Sequence, residues 1–218
     1  MTWITRQSLP AVLTALAVAA GWLLIFPGGV IKDEEISRTA ADYSMDTGPV
    51  GEVAAIQEFV PRYDRIRSLG VDIGKLDGRA GQGTLYLHFY DENLQEFAVV
   101  PYDISEMRDG ELTDIPVNLK LQAGSRYYVS ILCEDYGEAA PVVHYRSLSG
   151  NGPAENLHFY YGPTVIDDAS ANIRFTYQKP LHPVQILFYD SLILLAGAAL
   201  ISLTGKKKDR KEHEPYAG

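Results

Sequence analysis

Hydrophobic and polar residues alternate in short runs along the middle of the chain. Five runs place an apolar residue at every second position, which is typical of a β-strand that buries one face. These apolar positions are Leu69, Val71 and Ile73; Leu85, Leu87 and Phe89; Tyr127, Val129, Ile131 and Cys133; Leu157, Phe159 and Tyr161; and Ile173, Phe175 and Tyr177. Turn-forming pairs such as Asp77-Gly78 separate the runs, without a long amphipathic helix between them. The pattern predicts an all-β fold, an antiparallel β-sandwich.

Two apolar stretches flank this region, at residues 9–27 and 184–204. No charged residue lies between Arg6 and Lys32, and Asp190 is the one charged residue of the second stretch. A helix rises 1.5 Å per residue, so about 20 apolar residues cross a hydrocarbon core of about 30 Å. We therefore predict that two transmembrane α-helices flank the sandwich.

A cleaved signal peptide is the alternative reading of the first stretch, because Ala17-Val18-Ala19 resembles a cleavage site. The apolar run continues beyond that site to Phe26, which favours an uncleaved anchor. The lysine cluster that begins at Lys206 is expected to stay in the cytoplasm, so both termini are predicted inside and the middle outside. The predicted segments are a cytoplasmic amino terminus (1–8), a first membrane helix (9–27), a linker (28–50), an extracytoplasmic β-sandwich (51–180), a second membrane helix (184–204) and a basic cytoplasmic tail (205–218).

The middle of the chain is acidic. The formal net charge is −9, and residues 31–183 contain 24 Asp and Glu against 13 Lys and Arg. Such a surface repels phosphate, which excludes nucleic acid as a partner, whereas the basic tail suits anionic lipid of a bilayer. Cys133, the single cysteine, lies in an alternating apolar run, so we expect a buried, unreactive thiol.

Several motifs in the middle segment combine into a resemblance. They are Ile56-Gln57-Glu58-Phe59, Tyr63-Asp64-Arg65-Ile66, Leu69-Gly70-Val71-Asp72-Ile73-Gly74, Gly83-Thr84-Leu85-Tyr86-Leu87, Tyr90-Asp91-Glu92, Tyr127-Tyr128-Val129-Ser130-Ile131 and Asn172-Ile173-Arg174-Phe175-Thr176-Tyr177. The segment resembles a jelly-roll, carbohydrate-binding-like ectodomain module of bacterial, especially clostridial, membrane proteins, some of them linked to glycan-assembling glycosyltransferases. The resemblance implies a fold and carries over no functional residue.

The 14 tyrosines suggest a ligand-binding surface. Aromatic faces with nearby hydrogen-bonding groups bind sugars, and the period of a strand places Tyr86, His88 and Tyr90 on the face opposite the core. His158 and Tyr160 are expected to lie similarly. The alternative for each residue is that tyrosine simply suits a half-exposed strand.

Acidic residues near loops suggest a structural calcium ion, with no other cofactor expected. Carboxylate oxygens are typical calcium ligands, and Asp72 with Asp77, or Asp167 with Asp168, could supply them. The alternative is that these residues are solvated turn positions. The chain contains no Gly-rich phosphate loop, no Gly-x-Ser-x-Gly and no His-Glu-x-x-His motif, so we do not expect an enzyme.

Three functions remain open from the sequence. The first is a non-catalytic, membrane-anchored module that recognises a ligand outside the cell, such as a cell-surface glycan. The second is an interaction subunit of a membrane complex, for example one for polysaccharide assembly, in which Asp190 and Gly197 pack against another helix. The third is an unrecognised hydrolase.

Overall fold

The computed structural model describes residues 12–21, 33–37, 45–147, 157–179 and 181–212, and at 33–37, 147 and 200–212 it describes the backbone alone. The chain divides into two compact units. One is Lys32–Gln178, and the other combines Met1–Ile31 with Lys179–Gly218.

The first unit is built of strands. In the described part of the chain they are β1 (Asp33–Ser37), β2 (Met45–Pro49), β3 (Ala55–Phe59), β4 (Arg65–Gly74), β5 (Thr84–Tyr90), β6 (Glu96–Asp103), β7 (Leu112–Lys120), β8 (Tyr127–Glu134), β9 (Val142–Ser147), β10 (Phe159–Tyr161), β11 (Thr164–Ile166), β12 (Ala169–Ala171) and β13 (Ile173–Gln178). A 3-10 turn, Ile104–Glu106, follows β6.

The strands form two antiparallel sheets. Over the described residues, one sheet has seven strands in the order β1-β13-β4-β9-β12, with β7 also paired to β4 and β2 to β9. The other has six strands in the order β11-β10-β3-β8-β5-β6. The prediction of an antiparallel, sandwich-like β fold is therefore confirmed.

The core lies between the two sheets. The alternating apolar residues predicted in β4, β5 and β13 are buried, as are Val129, Ile131 and Cys133 of β8. Phe59 of the six-stranded sheet stacks on Phe175 of the seven-stranded sheet with ring centroids 4.7 Å apart. Burial of each such large side chain contributes about 1.5–3 kcal/mol.

A buried glutamine also joins the two sheets. Gln57 of β3 accepts a hydrogen bond from the backbone N–H of Ala171 at 2.8 Å and lies 3.2 Å from the hydroxyl of Ser170. Both partners belong to β12 in the other sheet. Because this amide is buried, the bonds satisfy polar groups that would otherwise cost free energy in the core.

Segment 28–50, interpreted from its sequence as a linker, contains β1 and β2, so the strands begin before residue 51. β2 is held against β9 by backbone pairing and by the side-chain hydroxyl of Thr47, not by a row of alternating apolar side chains. The buried Thr47 hydroxyl accepts a hydrogen bond from the N–H of Val143 at 2.9 Å and donates one to the carbonyl of Gly48 at 2.8 Å. A polar strand of this kind has no period-two apolar signal in its sequence.

The second unit contains two helices in its described part, α1 over residues 12–21 and α2 over Pro183–Glu212. Where the residues are described, neither helix combines the length and the apolar character needed to cross a membrane. A Cβ atom added to Gly197 of α2 would overlap the side chain of Thr14, so the two helices pack closely at this point. Asp190 of α2 is buried.

Candidate functional site

The candidate site is the face of the six-stranded sheet that points away from the core, here called the aromatic face. Its side chains alternate with the buried core residues of the same strands. The aromatic face comprises Tyr160 on β10 and His158 just before it, Ile56 and Glu58 on β3, Tyr128, Ser130 and Leu132 on β8, Tyr86, His88 and Tyr90 on β5, and Glu96 on β6. All five ligand residues predicted from the sequence lie on it.

Three of the predicted residues form a ladder of rings along β5. The ring centroid of His88 lies 6.0 Å from that of Tyr86 and 6.5 Å from that of Tyr90. Successive same-face residues of one strand are about 7 Å apart, so these ring separations follow directly from strand geometry. The rings are partly buried and present their remaining surface to solvent.

Glu96 fixes the polar groups of this ladder. Its carboxylate lies 2.7 Å from Nδ1 of His88. Burial, together with the charge of Glu96 and a hydrogen bond to it, raises the pKa of the Tyr90 phenol above its ordinary value. The phenol therefore stays protonated and able to donate a hydrogen bond throughout the neutral range.

A buried ion pair lies at the other side of the aromatic face. The side chain of Glu58 is 1% exposed, and its Oε1 lies 2.6 Å from a guanidinium nitrogen of Arg126, whose side chain is 47% exposed. The other oxygen of Glu58 accepts a hydrogen bond from the backbone N–H of His158 at 2.9 Å. A carboxylate this deeply buried requires such partners, because an unpaired buried charge is strongly unfavourable.

Tyr160 and His158 stand beside this ion pair, with ring centroids 6.0 Å apart. Burial raises the pKa of the Tyr160 phenol, the charge of Glu58 and the neighbouring Tyr128 add to the effect, and Arg126 opposes it. Tyr160 is therefore also a protonated donor near neutral pH.

Strand register joins these groups into two rows that run across the strands. The first, here called the tyrosine row, begins at Glu58, which pairs with Tyr128 of β8. Tyr128 pairs with Tyr90, and Tyr90 pairs with Glu96. The tyrosine row therefore has two tyrosines in its centre and a carboxylate at each end.

The second row, here called the histidine row, lies one pleat further along the strands. Tyr160 pairs with Ile56, and Ile56 pairs with Ser130. Ser130 pairs in turn with His88. This row places an aromatic ring at each end and two smaller side chains between them.

The sequence did not predict a ligand role for Glu58, Glu96 and Tyr128 of the aromatic face, nor for Arg126 beside it. The alternation of β8 does place Tyr128 and Ser130 on one face, so the signal for Tyr128 was present. Nothing in the sequence indicated that β8 lies between β3 and β5, and that arrangement brings Glu58, Arg126 and Tyr128 beside the predicted residues. Glu96 lies there because β6 pairs with β5.

A second polar cluster lies at the junction of β2, β4 and β9 in the seven-stranded sheet. Nδ1 of His144 lies 2.9 Å from Asp72, and its Nε2 lies 3.2 Å from Asp46. The other oxygen of Asp72 accepts a hydrogen bond from Asn172. The hydrogen bond to Asp72 raises the pKa of His144, burial lowers it, and the charges of Asp72, Asp46 and Asp109 raise it further.

The predicted calcium ligands occupy different surroundings. Asp72 is buried, with both oxygens bonded to side chains, whereas Asp77, Asp167 and Asp168 are exposed in turns. Asp77 and Asp168 adopt positive φ values of 59° and 50°, which aspartate tolerates better than most residues. Over the described residues, no group of three or more His, Cys, Asp or Glu side chains is placed to hold a metal ion.

Cys133 is fully buried in the core. Burial, reinforced by the charges of Asp135 and Glu134, raises the pKa of its thiol to about 11. The thiolate is the reactive form of cysteine, so this residue is unreactive at neutral pH, as its sequence context predicted.

No protein-family model matches the chain, and no curated protein is significantly similar to it in sequence. The clostridial cysteine protease Cwp84 after propeptide cleavage is similar in structure, with a TM-score of 0.46 and 7% identity over 67% of this chain and 40% of that one. The cysteine protease and lectin-like domains of Cwp84, a surface layer associated protein of Clostridium difficile, give a TM-score of 0.41 and 6% identity over 67% and 36%. The chain thus spans about two fifths of these structures, and the similarity is weak.

Proposed function

We propose that the chain is a non-catalytic, membrane-anchored binding module whose aromatic face recognises a glycan outside the cell. The observation that carries the proposal is the convergence of tyrosines and histidines from β5, β8 and β10 on one sheet face, with carboxylates and a guanidinium at its edges. A sugar ring presents C–H bonds on its faces and hydroxyl groups around its rim. Aromatic rings with adjacent polar groups complement both features.

The protonation states of the face support sugar binding. The raised pKa values of Tyr90 and Tyr160 keep both phenols protonated; the Tyr90 phenol is hydrogen-bonded to Glu96, whose carboxylate also lies 2.7 Å from Nδ1 of His88. Donors and acceptors therefore stand beside the rings, which is the combination that hydroxyl groups require.

The separation of the two carboxylates argues against hydrolysis at this face. Glu58 and Glu96 lie on β3 and β6, three strand-to-strand steps apart, so their backbones are about 14 Å apart. The Glu58 carboxylate is bonded to His158 beside β10, on the side away from β6, which does not bring it nearer to Glu96. A glycosidase needs its two catalytic carboxyl groups within about 5–10 Å of each other. Glu58 is also buried in an ion pair, which removes it from contact with a substrate.

The membrane attachment and the jelly-roll character belong to the same proposal. Two observations support attachment: the apolar sequence of residues 9–27 and 184–204, and the exposed apolar side chains of α2. The ends of segment 9–27 lie outside the described residues. These exposed side chains are Val184, Leu187, Phe188, Leu192, Leu194 and Leu195.

Support for a jelly roll comes from the path of the chain, because most connections between successive strands cross from one sheet to the other.

A glycan microarray probed with the full chain in detergent tests the proposal. We expect a restricted set of glycans to bind, and Tyr128→Ala to weaken that binding at least tenfold, which corresponds to about 1.4 kcal/mol. Leu94→Ala, an exposed apolar residue in the turn between β5 and β6, is the matched control and should bind like the wild type. Absence of any bound glycan, or equal loss in Tyr128→Ala and the control, would contradict the proposal.

A further inference from the structure

The two rows of the aromatic face define a direction. In both rows, successive residues lie on neighbouring hydrogen-bonded strands, so the rows run perpendicular to the strands. In the histidine row, three strand-to-strand steps separate Tyr160 from His88, which places the backbones of the two residues about 14 Å apart. One pyranose unit lengthens a glycan by about 5 Å, close to the strand spacing of about 4.8 Å.

The side chains at the centre of the histidine row are smaller than those at its two ends. Between the rings of Tyr160 and His88, the histidine row carries Ile56 and Ser130, and the side chain of Ser130 is buried beneath its neighbours. The adjacent tyrosine row offers Tyr128 and Tyr90 along the same span. A ligand that reaches both end rings therefore passes over a continuous surface with aromatic contacts on one side.

The charges of the face select against acidic ligands. Arg126 is already paired with the buried Glu58, so its charge is offset before a ligand arrives. The side chain of Glu96 is 42% exposed at the opposite edge, where its carboxylate lies 2.7 Å from Nδ1 of His88. A uronate or phosphate group bound to the aromatic face would be repelled by the negative charge of Glu96, and the charge of Arg126 would not compensate because Glu58 already offsets it.

We propose that the aromatic face takes an extended, uncharged oligosaccharide of about three sugars, lying across the strands from β10 to β5, rather than a single terminal sugar. This inference rests on the proposed function, because it specifies the ligand of the same face. Tyr160 and His88 hold the two ends of the oligosaccharide, and the tyrosine row contacts its centre.

A length series tests the inference. The neutral glycan that binds best on the microarray is prepared in lengths of one to six sugars, and its affinity for the full chain in detergent is measured by titration. Oligogalacturonides of the same lengths serve as the anionic comparison. We expect affinity to rise at least tenfold between one and three sugars, to level off beyond about four, and to exceed that of the anionic series at every length.

Two end variants locate the oligosaccharide. Tyr160→Ala and His88→Ala should each weaken binding of the four-sugar ligand by about tenfold, whereas for the two-sugar ligand only one of the two variants should have that effect. Three results would overturn the inference while leaving glycan binding intact. They are equal affinity for one and four sugars, tighter binding of the anionic series, and weakened binding of the four-sugar ligand in only one of the two variants. If no array glycan binds at all, the proposed function fails and the inference fails with it.

Discussion

His144 lies between two carboxylates, and this determines its charge. Nδ1 of His144 is hydrogen-bonded to Asp72 at 2.9 Å, and its Nε2 lies 3.2 Å from Asp46. Both carboxylates favour the protonated imidazole, in agreement with its raised pKa. His144 therefore links β9 to β4 through the hydrogen bond to Asp72, and to β2 through its ion-pair contact with Asp46.

This cluster predicts a pH dependence of stability. Because the folded-state pKa of His144 is raised, its contribution is complete below the ordinary value of 6.5 and is lost as pH rises through the folded-state value. We expect the free energy of unfolding of wild type to exceed that of His144→Asn by about 1–2 kcal/mol at pH 6, with the difference shrinking by pH 9. Denaturant titration of both proteins at the two pH values measures it. A difference that grows with pH would contradict the assignment.

Gly74 provides the space that His144 occupies. A Cβ atom at this position would lie 2.6 Å from Nε2 of His144 and 2.7 Å from a methyl carbon of Val142. Gly74→Ala should therefore displace the imidazole from Asp46 and lower the free energy of unfolding by about 1–3 kcal/mol. The control is Gly81→Ala, where the nearest atom would be 3.2 Å away. Equal melting temperatures for Gly74→Ala and wild type would show that the cluster tolerates the added methyl group.

At the scale of elements, the Glu58–Arg126 ion pair connects β3 to the start of β8. Arg126→Met leaves the carboxylate of Glu58 buried without its cation, which should lower the free energy of unfolding by about 1–3 kcal/mol. The double variant Glu58→Gln with Arg126→Met removes the charge as well and should recover part of that loss. Denaturant titration of the wild type, the two single variants Glu58→Gln and Arg126→Met, and the double variant gives the coupling energy. Additive losses in the double variant would mean that the two side chains do not interact.

Strands whose side chains alternate clearly could be predicted from the sequence. β4, β5 and β13 bury their predicted apolar positions, and β8 does so except at the partly buried Tyr127; the same alternation correctly placed Tyr86, His88 and Tyr90 on one face. The 3-10 turn at Ile104–Glu106 likewise follows from local residues, because the side chain of Asp103 caps it by accepting a hydrogen bond from Ser105. Local physical chemistry is sufficient for these features.

The neighbours of each strand could not be predicted in the same way. β8 lies between β5 and β3, and this strand order places Tyr128 and Glu58 beside the ligand residues predicted from the sequence. β2 is held by Thr47 and by backbone pairing, neither of which produces an apolar pattern. Pairing between strands distant in sequence depends on the packing of the whole sandwich, which no window of the sequence contains.

At the scale of the whole molecule, the membrane proposal predicts which parts of the chain a protease can reach. Protease added to intact cells that express the protein should cleave within residues 32–178, while an epitope tag fused after Gly218 should resist until the membrane is permeabilised. Immunoblots against the tag and against the sandwich report the two parts separately. A tag that is digested together with the sandwich in intact cells would contradict the predicted orientation.

Ligand binding at the aromatic face is the central claim, and hydroxyl-radical footprinting of the full chain tests it most directly. With the best array glycan bound, Tyr90, Tyr128 and Tyr160 should lose oxidation at least twofold relative to the free protein. Tyr102 and Tyr136, which are partly exposed but pack toward the core, should be unchanged. Protection of the two control tyrosines alone, or no protection of the three face tyrosines, would contradict the account.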